Sequence, residues 1–327
     1  MIALLGAGSW GGTVAEHLAK KGLDVSVWHR NRDELSEMME KRSHPFLENL
    51  QFSSSVNFLK ELDYFEQPDI VVIGVPSHGV RELSASIPES FKGAIFVNLA
   101  KGIENESLLR MSEVISQCGQ IDPSRIVTIS GPSHAEEVVR GLPTTLVAAG
   151  INPDTCKTVQ RLFSREALRV YVNEDIIGVE LGGSIKNVIA LAAGVCDGIG
   201  FGDNTKAALI TRGIVEISRL GNALGGKSET FTGLSGMGDL IATCLSKHSR
   251  NRYVGEQIGQ GRALDSILTE MTMVAEGVKT ASSVQALAEK HSVEMPICDA
   301  VYSVLNERLD PKAAVSRLMS RDLGSEQ

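Results

Sequence analysis

The sequence predicts an α/β protein. A Rossmann-type, doubly wound sheet is expected over residues 1–175, followed by an all-helical unit over 176–327. Three features carry this expectation. Short apolar runs alternate with helical patterns through the first half. A glycine-rich turn, Gly6-Ala7-Gly8-Ser9-Trp10-Gly11, joins the first run to the first helix. After about Tyr171 the alternation stops and only long helical patterns follow.

The runs Ile2–Leu5, Val25–Trp28, Ile70–Val75, Ala94–Leu99, Ile126–Ile129 and Thr145–Ala148 are bounded by Gly, Pro, Asp or Ser. They are too short for solitary helices and rich in β-branched residues, which favours buried strands. Thr13–Lys21, Arg32–Lys41 and Ser107–Gln117 have helical spacing, and Gly22 is a natural stop for the first. Strand, helix, strand in repetition implies a parallel sheet covered on both faces. Beyond the boundary, Asp175–Gly194, Thr205–Leu224, Met273–His291, Pro296–Asn306 and Pro311–Met319 read as helices. Asp310-Pro311 is a helix start, a cap followed by proline at the first helical position.

A chain of 327 residues and 35.1 kDa suits two ordinary domains. With 43% hydrophobic and 22% charged residues it has the material for a core, which excludes disorder and collagen as global descriptions. A net charge of -8 gives no general attraction to nucleic acid or anionic lipid. An anionic ligand must therefore be met by a local cationic cluster. The 5 cysteines form no CxxC pair, so neither a disulfide framework nor a metal site is expected. The N-terminus lacks a signal-peptide pattern, and no uninterrupted apolar run spans a bilayer. A cytoplasmic protein without membrane insertion or nucleic-acid partner is the expectation.

Gly6, Gly8 and Gly11 stand in the GxGxxG pattern, between a strand and a helix. The first permits the turn, the second admits a pyrophosphate, and the third lets helix pack on strand. The helix N-terminus offers free N–H groups to phosphates. At the end of the second strand, Trp28-His29-Arg30-Asn31-Arg32 carries no acid for a ribose hydroxyl but two arginines. Guanidinium groups suit a 2′-phosphate, so NADPH is expected to be accepted and preferred, with NADH as the other nicotinamide cofactor. Either arginine, or both, would make the contact; a solvated basic loop is the alternative.

Lys101 follows a strand at its C-terminal end, where doubly wound sheets bind ligands. Lys186 and Asn187 are the conspicuous polar residues of Gly182–Gly194, amid Gly, Ala and branched aliphatics. Burying an ammonium is costly, so Lys186 should have a depressed pKa and exchange protons near neutral pH; the alternative is a lysine that snorkels or pairs structurally. Asp239, ending a glycine-rich turn, is its natural partner or else a helix cap. Arg250 and Asn251, after Ser249, could hold a phosphate monoester.

These segments resemble the bacterial NAD(P)-dependent glycerol-3-phosphate dehydrogenases. The motifs are GAGSWGG at 6–12, NLAKGIE at 98–104, GPSHAEEV at 131–138, GVELGGSIKNVIALAAG at 178–194, GLSGMGDL at 233–240, SRNR at 249–252 and VAEGVKTA at 274–281. The resemblance covers nearly the whole chain; Gly12, Ser184, Ser235 and Met237 depart from the commoner family residues. It implies that Lys186 is catalytic, and that Lys101, Gly131, Ser133, Asp239, Ser249, Arg250 and Asn251 bind substrate. It also implies cofactor contacts from Ser9, Trp10, His29 or Arg30, Lys101, Ala135, Arg250, Val274 and Glu276. The implied reaction is reversible reduction of dihydroxyacetone phosphate to sn-glycerol 3-phosphate, the backbone of glycerophospholipids. Homodimers are common for this architecture. A β-hydroxyacid dehydrogenase of the same plan, an inert NADPH sensor and a structural dimerisation module are the competing readings.

Overall fold

The computed structural model describes residues 1–322. Among the described residues ten strands form in chain order: β1 Ile2–Leu5, β2 Val25–Trp28, β3 Ser43–His44, β4 Leu47–Gln51, β5 Val56–Phe58, β6 Ile70–Ile73, β7 Ile95–Asn98, β8 Ile126–Ser130, β9 Thr144–Ala149 and β10 Leu168–Asn173. Eight of them build one sheet in the order β10-β9-β8-β7-β6-β1-β2-β5, while β3 and β4 pair separately. β1 lies between β2 and β6, in register Ile2 to Val25 and Ile2 to Ile70. Alternate side chains serve opposite faces. Leu4, Val72 and Val97 enter one core, and Leu5, Ile73 and Phe96 the other.

The six expected strands are present. The sheet is mainly parallel, as expected, but β9 runs antiparallel to β8. Residues 131–143 hold only the short helix Ala135–Val138, too little for a right-handed crossover, so the chain turns straight back. β10 pairs parallel with β9 at the sheet edge. Its residues alternate, with Leu168 and Val170 inward and Arg169 and Tyr171 outward, so it offers no continuous apolar run to recognise.

From residue 176 on, every described element is helical. The central helix, Ile176–Ile199, starts on Asp175, whose carboxylate accepts from the Gly178 N–H at 2.8 Å. It is long and apolar enough to cross a membrane, but almost all of it is buried under the protein's own helices. The sequence-based helix stopped at Gly194; the observed one runs on because Gly194 and Gly198 face the helix Arg250–Gly259. A Cβ on Gly194 would collide with the Arg252 carbonyl oxygen, and one on Gly255 with that of Leu191. Small residues on both sides thus let the backbones touch and place Arg250 and Asn251 against the helix that carries Lys186.

Glu180 docks the central helix on the sheet. Its buried carboxylate accepts from Arg110 Nη1 at 2.7 Å, the Ser112 N–H at 2.9 Å and Thr128 Oγ1 at 3.1 Å. Gly255→Ala should cost about 1–3 kcal/mol through overpacking, read as a lower Tm. An unchanged Tm would mean that the two helices part freely.

Candidate active site

A cleft of about 830 Å³ opens beyond the C-terminal ends of β1, β2, β6 and β7, walled on the far side by the helical half. The chain leaves β1 toward β2 on one side and returns as β6 on the other, the switch point at which such sheets bind ligands. Gly6 turns the chain with φ +105°, and a Cβ there would lie 2.6 Å from the Val75 backbone nitrogen. A Cβ on Gly11 would strike the Gly6 carbonyl oxygen, whereas Gly8 has open space around it. The helix Ser9–Ala19 begins there with no side chain among the described residues capping it. Gly6, Gly8, Ser9 and Trp10 line the cleft, so the free N–H groups of the first turn have the setting a pyrophosphate needs. These residues fit a dinucleotide.

On the opposite wall two lysines from different parts of the fold meet one acid. Lys186 Nζ donates to Asp239 Oδ1 at 2.8 Å and to Thr243 Oγ1 at 2.6 Å. Lys101 Nζ donates to Asp239 Oδ2 at 2.7 Å, to the Gly131 carbonyl at 2.9 Å and to Ser133 Oγ at 3.3 Å. Lys186 is buried, at 5% exposure, and so does not snorkel. Burial brings its pKa down to about 8, with Lys101 adding to the fall and Asp239 opposing it. Burial alone would raise the Asp239 carboxyl, but Lys101 and Lys186 together hold it below the usual aspartate range. Asp239 opens the helix Asp239–Leu245, yet its side chain serves the lysines rather than the helix end.

Ser249 caps the helix Arg250–Gly259, accepting from the Arg252 N–H at 3.2 Å. Asn251 ties three helices together: Nδ2 donates to Asn187 Oδ1 at 3.0 Å, and Oδ1 accepts from the Gly277 N–H at 2.8 Å. Arg250 is exposed on the cleft wall and forms no hydrogen bond or ion pair among the described residues, so its guanidinium can meet an anion. Glu276 accepts from the Ser77 N–H at 2.9 Å and Ser77 Oγ at 2.5 Å, joining the helical half to the end of β6. Val274 lines the cleft beside it, with Met273 taking the Ser9 hydroxyl at 3.4 Å.

Lys101, Ser133, Lys186, Asp239, Ser249, Arg250, Asn251, His29 and Arg30 all reach the wall. Four expected positions do not. Gly11 is packed under the turn, and Ala135 is buried in the core of the sheet half. Gly131 meets Lys101 through its carbonyl from behind, held by φ +123°. Arg32 turns away to Glu61 at 2.7 Å. Conversely, the expectation of no acid beside β2 needs correction, because Glu34 folds back to the wall and bonds His29 Nε2 at 2.9 Å. Glu34 lies in the first turn of the helix Arg32–Lys41, and its side chain reaches back to His29 and Asn31 at the end of β2.

Thr243 and two histidines were also missed. His134 and His248 face each other at 6.1 Å between ring centroids and line the cleft near Lys186. Burial, then the charge of Lys186, pushes the His134 pKa down. Their only sequence signal is adjacency, inside GPSHAEEV and immediately before SRNR. Asp239→Asn should cost about 3–5 kcal/mol in urea unfolding, because it leaves two neighbouring ammonium groups without their shared anion. Unchanged stability would mean that the lysines are solvated.

The N-terminal family model of the NAD-dependent glycerol-3-phosphate dehydrogenases matches residues 1–156, and the C-terminal model matches 175–316. A Salinibacter ruber protein named glycerol-3-phosphate dehydrogenase [NAD(P)+] 2 is 50% identical over 98% of this chain and 94% of its own. The corresponding protein of a Thermoanaerobacter species is 49% identical over 98% and 97%. The crystal structure of glycerol-3-phosphate dehydrogenase from Coxiella burnetii superposes with a TM-score of 0.92 at 38% identity, covering 98% of each chain. The chain belongs to the NAD-dependent glycerol-3-phosphate dehydrogenase family.

Proposed function

We propose that this protein interconverts dihydroxyacetone phosphate and sn-glycerol 3-phosphate with NADPH or NADH, supplying the glycerol backbone of phospholipids. The observation that carries the reading is the buried Lys186–Asp239 pair at the wall of a cleft whose other wall fits a dinucleotide. The division of labour follows the boundary near residue 175, with the dinucleotide on the sheet half and the substrate against the helices.

A bound nicotinamide supplies hydride to the substrate's C2 carbon in reduction and accepts it in oxidation. As the C2 oxygen gains negative charge, the Lys186 ammonium stabilises it and gives it a proton. Asp239 stays ionised, orients both lysines and offsets the cost of burying them. Lys101 adds positive potential beside the same oxygen. Arg250 holds the phosphate and Ser249 offers it a hydroxyl, so that binding energy from the far end of the substrate orients the ketone. Asn251 acts mainly through position, since its oxygen and one N–H are already engaged with Gly277 and Asn187. No cleft feature favours a β-hydroxyacid over a phosphate monoester, and an inert sensor would not need Lys186 buried on Asp239.

Lys186→Ala should lower kcat about 10²–10⁴-fold while NADPH still binds. Near-wild-type turnover would remove Lys186 from the chemistry. In the wild type, ketone reduction should fall above about pH 8 as Lys186 loses its proton, and alcohol oxidation should rise across the same range. A flat profile through pH 8 in both directions would contradict the assignment. The expected assembly is a cytoplasmic homodimer; a monomeric mass by light scattering would remove the dimer.

A further inference from the structure

Cofactor choice is set beside β2, where the charges differ from what the linear sequence suggests. Only Arg30 of the two arginines stands on the cleft wall, and its Nη1 donates to Glu82 Oε2 at 2.9 Å. Glu82 belongs to the same wall. Both partners are largely exposed, at 71% and 70%, so the pair is weak and exchangeable. Glu34 also lines this wall and is partly buried. Its Oε1 accepts from Asn31 Nδ2 at 2.7 Å and its Oε2 from His29 Nε2 at 2.9 Å.

His29 links that carboxylate to the glycine turn. Its Nδ1 lies 3.1 Å from the Ala7 N–H, which can only donate. Nδ1 is therefore the acceptor of a neutral ring, and the ring proton sits on Nε2, facing Glu34. A carboxylate held in this way lines the cleft near the end of β2, the region where other dinucleotide sites use an Asp or Glu to bind a ribose hydroxyl. Each Glu34 oxygen has taken one hydrogen bond from the protein and can accept another. The wall thus offers one guanidinium against two carboxylates, which opposes the NADPH preference expected from Arg30 and Arg32.

We propose that Glu34 accepts the adenosine ribose 2′-hydroxyl of NADH, and that Glu82 competes with the 2′-phosphate of NADPH for Arg30. The inference rests on the dinucleotide reading of the cleft. NADH then enters without rearrangement. NADPH enters when Arg30 exchanges Glu82 for the phosphate, and its phosphate meets the Glu34 carboxylate as a like charge. Dual use of the two cofactors follows from an exchangeable surface pair rather than from a second site.

The test measures the Kd of NADH and NADPH without substrate, by quenching of the two cleft tryptophans, Trp10 and Trp28, in the full-length protein. Glu82→Gln should tighten NADPH about two- to fivefold and leave NADH unchanged. In an Arg30→Ala background the same change should no longer help NADPH. Glu34→Gln should weaken NADH about tenfold and leave NADPH equal or tighter. The inference is overturned if Glu34→Gln shifts both cofactors by one factor, or if Glu82→Gln moves NADPH no more than NADH. Wild-type protein that binds neither cofactor would overturn the dinucleotide reading as well. Tight binding of both, with variants that do not discriminate, would overturn this inference alone.

Discussion

One carboxylate organises the catalytic side of this protein. Asp239 holds Lys101, which comes from the loop after β7, and Lys186, which comes from the central helix. The two ammonium groups would repel each other in a setting where water is largely excluded. The shared anion makes the arrangement tolerable and leaves a net positive charge at the wall. The same burial that makes the pair costly lowers the Lys186 pKa to about 8, inside the range where a proton donor is useful. Stability and chemistry therefore draw on the same residues.

Other contacts keep the two halves in the relation that this pair requires. Glu180 binds the central helix to the ends of β7 and β8 through Arg110, Ser112, Asn98 and Thr128. Glu276 binds the helix Glu276–His291 to Ser77 after β6. Asn251, Asn187 and Gly277 join three helices behind the substrate side. None of these groups need touch a reacting atom. Each holds a cleft wall in place, and small displacements of such walls weaken catalysis strongly.

The global charge is acidic, yet Lys101, Lys186 and Arg250 all line the cleft. Of the three, only Arg250 is without an anionic partner in hydrogen-bond contact among the described residues, which matches a substrate that brings its own phosphate. On the dinucleotide side the pattern differs. There Arg30 already has Glu82, and Glu34 is held by His29 and Asn31. A ligand arriving at that end exchanges partners instead of filling an empty charge.

The sequence alone determined a great deal. Local spacing marked six strands of the sheet, the glycine turn and the helices after residue 175, because those signals arise from neighbours along the chain. It also singled out Lys186, since a lysine amid glycines and aliphatics is conspicuous wherever the helix lies. What only the tertiary structure decided depends on residues far apart in sequence. The reversal of β9, the sharing of Asp239 by two lysines, the pairing of His134 with His248 and the departure of Arg32 toward Glu61 are of this kind. So is the return of Glu34 to the end of β2. A period of 3.6 or 2 residues states which face a side chain occupies, but not what approaches that face from another part of the chain. Charge pairing is settled by that approach, which is why the site's residues were legible and their partners were not.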